Sequence, residues 1–227
     1  VRIKEKKISK SRLGLIKLPL GHNGRLVSLF EIAELNYRVF LFEQRVFEPT
    51  RDLPNFYFKN KCFNFFTGFC NKEVGNYDHN AEIVNKVLKH FRDVFTLGDD
   101  ILNEYLLNWH ASIVQRPTFK MVKCLLARGD YGSGKSIWFE FFGEKVVGKQ
   151  YFDQAKVNQL TGNFNCIVEN KILVVINEAK NGAFCSADAE EVFKDLISGK
   201  TVGIEHKGED VYTIDNFANF AICCNQK

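Results

Sequence analysis

Long apolar runs are missing from this chain. No stretch approaches the roughly 18 to 20 consecutive apolar residues that a membrane-spanning helix needs, and the start lacks the apolar segment of a secretory signal. An intracellular protein is expected. Paired cysteines are missing as well: the seven cysteines are odd in number, scattered, and never spaced as CxxC, so no disulfide framework is expected. Cys62, Cys70 and His79 come nearest to a metal cluster, but their separations do not match zinc-site spacing. Arginine is absent after Arg128. That argues against the arginine-rich lid of a small-molecule kinase, and residues 137–227 also lack an NKxD-like guanine-reading motif.

Excess charge is lacking over most of the length. The formal charge of +4 is local, since residues 1–17 (VRIKEKKISKSRLGLIK) carry seven Lys or Arg against one Glu and the remainder is net negative. Such a run reads first as a solvated tail. The chain begins with Val1 and stops at Lys227 directly after an apolar strand pattern, so a fragment truncated at its C-terminus is expected.

What is present divides into three regions. Residues 1–69 form a basic and aromatic-rich region of unclear fold, with a turn-like GHNG (21–24), a helix-capable stretch near 28–35, strand character in 37–49, and aromatic FKNKCFNFFTGF (58–69). Residues 70–117 are expected to be a helical subdomain. Ile83, Val84, Val87, Leu88, Phe91 and Phe95 recur at helical spacing over 80–95, and Asp99 or Asp100 offers an N-cap to a second helix that ends before Pro117. From 118 to 227 short apolar runs alternate with helical stretches: strands at 121–127, 172–176 and 217–224, and helices at 135–147 and 189–198. That alternation predicts an α/β fold with a mostly parallel sheet flanked by helices.

The strand at 121–127 runs into RGDYGSGKS, where Gly129, Gly134, Lys135 and Ser136 satisfy GxxxxGK[ST] in the required strand–loop–helix context. Glycines at 129, 132 and 134 let successive N–H groups of Gly129, Asp130, Tyr131, Gly132, Ser133 and Gly134 face phosphates. Lys135 is expected to reach the β and γ phosphates of ATP, and the Ser136 hydroxyl to ligate Mg²⁺. About forty residues later VVINEAK (174–180) ends a greasy strand on Asn177 and Glu178, where a nucleotide hydrolase more often shows Asp then Glu. A second apolar strand ends on Asn225, and polar strand ends of this kind belong at the carboxyl edge of a parallel sheet. Glu178 is then the base that orients the attacking water, Asn225 a sensor of the γ phosphate, and both Asn177 and Glu178 indirect partners of Mg²⁺. Between the two strands, TVGIEH and VYTI flank a turn at Lys207 and Gly208, which predicts a β-hairpin with Lys207 at its tip.

The order GDYGSGKS, ILVVINEAK, LISGKTVGIEHKGEDVYTIDN and FAICCN resembles motifs A, B, B′ and C of superfamily 3 helicases, as found in viral, phage and plasmid primase-helicase or primase-polymerase replication proteins. The resemblance spans about 120–227. It implies an AAA+-like P-loop ATPase, assembled as a homo-hexameric ring, that hydrolyses ATP between subunits and moves along single-stranded DNA. It places Lys207, with Gly208, on a channel hairpin that grips the nucleic acid backbone, and it puts the arginine finger beyond motif C. An arginine finger is worth about 10³ to 10⁵ in rate, so these 227 residues alone are expected to bind ATP better than they hydrolyse it. The alternatives are a P-loop remnant that binds nucleotide without unwinding, and a P-loop ATPase acting on protein or in DNA packaging.

Overall fold

The computed structural model describes residues 17–20, 25–28, 44–50, 56–57, 62–70, 81–162, 165–177, 187–208 and 210–225. The expected turn at 21–24, the helix-capable residues 29–35 and most of the basic run 1–17 lie outside them. The chain divides into two compact units, Val1–Val46 with Asp52–Phe65, and Phe47–Arg51 with Phe66–Lys227.

The first unit is built from short strands. β1 (Lys17–Leu20) and β2 (Arg25–Ser28) pair antiparallel, and β3 (Gln44–Val46), β4 (Phe56–Tyr57) and β5 (Cys62–Asn64) form a three-stranded sheet in the order β3-β5-β4.

The second unit opens with two helices, α1 (Ala81–Phe95) and α2 (Asp100–Gln115). The Asp99 carboxylate accepts from the Leu102 N–H at 2.9 Å, so it is the N-cap that the Asp99-Asp100 pair offered. The apolar stripe of α1 is not a core stripe along its length. Phe91 is fully buried, whereas Ile83 and Val84 are more than half exposed.

A four-stranded sheet follows, made of β6 (Leu125–Gly129), β7 (Phe152–Ala155), β8 (Leu173–Asn177) and β11 (Asn219–Asn225). All three pairings are parallel and the order is β6-β11-β8-β7. Helices α3 (Lys135–Phe141), α4 (Val157–Thr161) and α5 (Ala187–Ser198) flank it, and β9 (Thr201–Ile204) with β10 (Tyr212–Asp215) forms an antiparallel hairpin. The fold is α/β with helices covering a parallel sheet, as the alternation of apolar runs predicts.

Alternation along the strands sends side chains to two cores. Leu125, Leu173, Val175, Ala221 and Cys223 pack with Trp109, Ile113, Phe139 and the aromatic group Phe66, Phe69 and Tyr151. Val174, Ile176 and Phe220 face the other way, against Phe193 and Leu196 of α5 and Leu160 of α4. The ILVVI run is apolar throughout because the sheet is covered on both faces.

Two expectations shift. The strand expected at 121–127 occupies 125–129; ahead of it, the Met121 N–H donates to the Asn219 side chain of β11 at 2.9 Å and not to a backbone carbonyl of that strand. The helix expected over 135–147 is α-helical only to Phe141 and widens into a π-helix over Phe142–Gly148. The widened turn carries Gly143, against which the Phe152 ring packs so closely that a Cβ would lie 2.3 Å from it. Buried asparagines then fix where β11 starts. Asn216 donates to the carbonyls of Leu196 and Gly199, and Asn219 donates to those of Ile172 and Phe217.

Candidate nucleotide-binding site

The loop between β6 and α3 bends through two glycines in the left-handed region, Gly132 at φ +78° and Gly134 at φ +86°. A side chain at either would strain the backbone. Left-handed glycines are what lets a loop turn successive N–H groups toward an anion. Lys135 lies along the same loop: its ammonium donates to the carbonyls of Gly129 (3.0 Å) and Asp130 (2.7 Å) and to the Ser133 hydroxyl (2.9 Å). Tyr131 projects outward and is almost wholly exposed.

The helix that follows is tied down from behind. Trp138 of α3 donates its indole N–H to His110 Nε2 at 3.1 Å, and His110 Nδ1 lies 2.7 Å from the Leu106 carbonyl, which fixes Nδ1 as the protonated nitrogen. The ring is enclosed by Phe91, Trp109, Phe139 and Phe142. Burial pushes its pKa down to about 4. The neighbouring Trp109 donates to the Lys123 carbonyl at 3.4 Å, just ahead of β6. Helix α2 thus holds both the approach to the glycine loop and the helix that leaves it. His110 was not anticipated, because nothing in its neighbourhood of sequence marks its Trp partner 28 residues on.

Three strand ends share one edge, and two of them, Asn177 and Asn225, are polar. Asn225 closes β11 in register with Gly129, and Cys223 is in register with Ala127 on one side and Asn177 on the other. Burial pushes the pKa of the Cys223 thiol up to about 11 against the opposing pull of Ser136 and the Lys135 ammonium. Asn177 donates its amide N–H to Gln154 Oε1 of β7 at 2.9 Å, while its own Oδ1 is buried without a hydrogen-bond partner among the described residues. A buried, unpartnered carbonyl oxygen is costly, and this one sits on the strand that flanks β11 at the phosphate-loop edge. Gln154 and Cys223 were not anticipated, since their relevance comes from sheet register and not from any local motif. Glu178 lies outside the described residues. Lys207 and Gly208 form the exposed turn of the β9–β10 hairpin, with Gly208 at φ +79°.

The donor set fits a magnesium nucleotide. A hydroxyl at 136, an orphaned amide oxygen at 177 and a lysine on a left-handed glycine loop are the groups such a ligand needs. No group of three or more His, Cys, Asp or Glu that could hold a metal occurs among the described residues, and none of their helices is long and apolar enough to cross a membrane.

A family model described as a family of unknown function (DUF5906) matches residues 127–227. No curated protein matches the sequence. Among solved structures, the chain is similar to the apo structure of the NrS-1 C-terminal region, with 21% identity, a TM-score of 0.66, and coverage of 98% of this chain and 58% of that one. It is similar also to the A form apo structure of the NrS-1 C-terminal region, with 21% identity, a TM-score of 0.64, and coverage of 96% and 55%. The chain therefore spans little more than half the length of those solved chains. At this identity the likeness is one of fold, and it extends over nearly all of the present chain.

Proposed function

We propose that this chain is the core of an ATP-dependent, superfamily 3-like DNA helicase belonging to a viral or mobile-element replication protein. One observation carries the reading: β11 lies between β6 and β8, so Gly129, Asn225 and Asn177 end on the same sheet edge beside Lys135 and Ser136. Three separated motifs converge there. The fold likeness to the NrS-1 C-terminal region supports the same architecture over the whole chain.

In this reading the loop N–H groups of Gly129, Asp130, Tyr131, Gly132, Ser133 and Gly134 receive the phosphates of ATP, and Lys135 exchanges its contacts with loop carbonyls for contacts with phosphate oxygens. Mg²⁺, when bound, supplies charge neutralisation of the phosphates; Ser136 would ligate it, and Asn177 and Glu178 would hold its waters. Glu178 accepts the proton of the attacking water, and Asn225 donates its amide toward the γ phosphate. Lys207 contacts the backbone of single-stranded DNA, an electrostatic contact with little sequence preference. Sites between subunits of a hexamer place the remaining catalytic charge on a neighbour.

DNA-stimulated ATPase in the full-length protein tests this. Glu178→Gln is expected to retain ATP binding and to lower turnover by about 10² to 10⁴, the range of general-base removal. Unchanged turnover would take Glu178 out of the reaction, and a wild type that binds ATP without any DNA-stimulated hydrolysis would favour the remnant reading.

A further inference from the structure

The hairpin that carries Lys207 is held at its base by residues from a distant stretch. The antiparallel ladder of β9 and β10 stops at the Tyr212–Ile204 pair, so residues 205–208 and 210–211 extend beyond it. Glu169 meets this point with both carboxylate oxygens. Oε1 accepts from the Tyr212 hydroxyl at 2.7 Å, and Oε2 lies 2.9 Å from His206 Nε2. His206 Nε2 is also 3.1 Å from the Tyr212 hydroxyl, and the two rings stack with centroids 6.0 Å apart. Asn165 grips the β9 side, donating to the Gly203 carbonyl (2.8 Å) and accepting from the Glu205 N–H (3.1 Å).

Glu169 is itself anchored. The next residue, Asn170, adopts φ +57° in a tight turn, a conformation asparagine tolerates. Lys171 then pins that turn to β7 through the Asp153 carboxylate at 3.2 Å and the Phe152 carbonyl at 3.4 Å. The base of the hairpin is thus fixed to the segment that leads directly into β8.

We infer that Glu169 is a positioning residue for Lys207: its carboxylate, shared between His206 and Tyr212, holds the hairpin tip in the orientation that meets a single-stranded nucleic acid backbone. This rests on the proposed role of Lys207. An isolated two-stranded hairpin is marginal in water, and a tip free to sample many orientations loses binding free energy when it is ordered by its ligand. A carboxylate that restrains both sides of the tip removes that loss in advance. Glu169 is only about a quarter exposed and both of its oxygens are engaged by the hairpin, so it acts through the hairpin and does not meet phosphate, which its charge would repel.

Equilibrium binding of a fluorescent oligothymidylate, measured beside ATP binding in the full-length protein, tests the inference. Lys207→Ala and Glu169→Ala are each expected to weaken the oligonucleotide by about fivefold to tenfold, with ATP affinity unchanged. The double variant should bind no more weakly than Lys207→Ala alone, because the two act on one contact. Tyr212→Phe keeps the stacked ring and removes only the hydroxyl; a loss of about twofold to threefold is expected when Lys207 is present and none when it is Ala. If Glu169→Ala fails to fold, the Tyr212→Phe pair decides the matter. The inference is overturned if Glu169→Ala binds like the wild type while Lys207→Ala does not, or if their losses add in full. Should Lys207→Ala itself leave binding unchanged, the nucleic-acid reading of the hairpin falls first, and the positioning role falls with it.

Discussion

The glycine loop at 129–136 and the Lys207 hairpin are both short polar turns between apolar segments, yet they are fixed in opposite ways. Lys135 finds its three contacts within six residues of itself, and the glycines that shape the loop belong to the motif. The hairpin is fixed by Glu169 and Asn165, which lie 37 to 43 residues from the groups they hold. A candidate site whose residues are contiguous can be proposed from one sequence. A site whose chemistry is assembled by tertiary contacts shows only its exposed tip.

The largest expected effect comes from the contiguous end. Lys135→Ala removes the one cation of the loop, and losing a charge partner of phosphate is expected to weaken ATP binding by roughly a hundredfold, from a cost of about 3 kcal/mol. Titration with a fluorescent ATP analogue measures this. Oligothymidylate binding through the hairpin should be retained in the same variant, because Glu169 and Asn165 hold the hairpin and Lys171 ties their segment to β7. Tight ATP binding by Lys135→Ala would sink the phosphate-loop assignment, and loss of both activities would show the two regions to be less independent than their contacts suggest.

The contrast has a limit, and His110 marks it. The loop sequence announces itself, but the helix behind it is held by the Trp138 to His110 hydrogen bond, a tie as remote as those of the hairpin. Helix existence, the Asp99 cap and the buried strand over 173–177 were legible from periodicity and capping residues. The sheet order, the pairing of Asn177 with Gln154 and the asparagines that fix the start of β11 were not, since each depends on which strands become neighbours. The exposed start of the α1 stripe shows the converse: helical spacing predicts an apolar face but does not say what covers it.

His110 also makes the remote tie measurable. Its imidazole titrates near 6.5 when unfolded and at about 4 when folded, because burial disfavours the charged ring. Between these values the unfolded chain binds the additional proton, so the stability present above pH 6.5 declines as pH falls and is fully lost below about 4. At pH 5 the loss attributable to His110 is about 2 kcal/mol. Urea unfolding followed by tryptophan fluorescence at pH 7 and pH 5 should show it, and His110→Gln should flatten that part of the profile. A wild-type profile already flat across this window would mean that the ring is protonated in the fold, and that the Trp138 bond does not hold Nε2 as an acceptor.

The smallest expected effect concerns the strand end between the two regions. Asn177 donates to Gln154 and keeps its carbonyl oxygen unpartnered, so its amide is oriented without any charge to offset Mg²⁺. Asn177→Asp exchanges the donor for a carboxylate oxygen; Gln154 is exposed and can rotate its own amide to donate, so the fold should tolerate the change. A unit charge acting on a divalent ion through an intervening water is worth on the order of 1 kcal/mol. The Mg²⁺ concentration for half-maximal ATPase in the full-length protein is therefore expected to fall by about threefold to tenfold, while nucleotide affinity without metal stays level or weakens. An unchanged Mg²⁺ requirement would mean that the amide at 177 serves the sheet edge through Gln154 and does not limit the metal site.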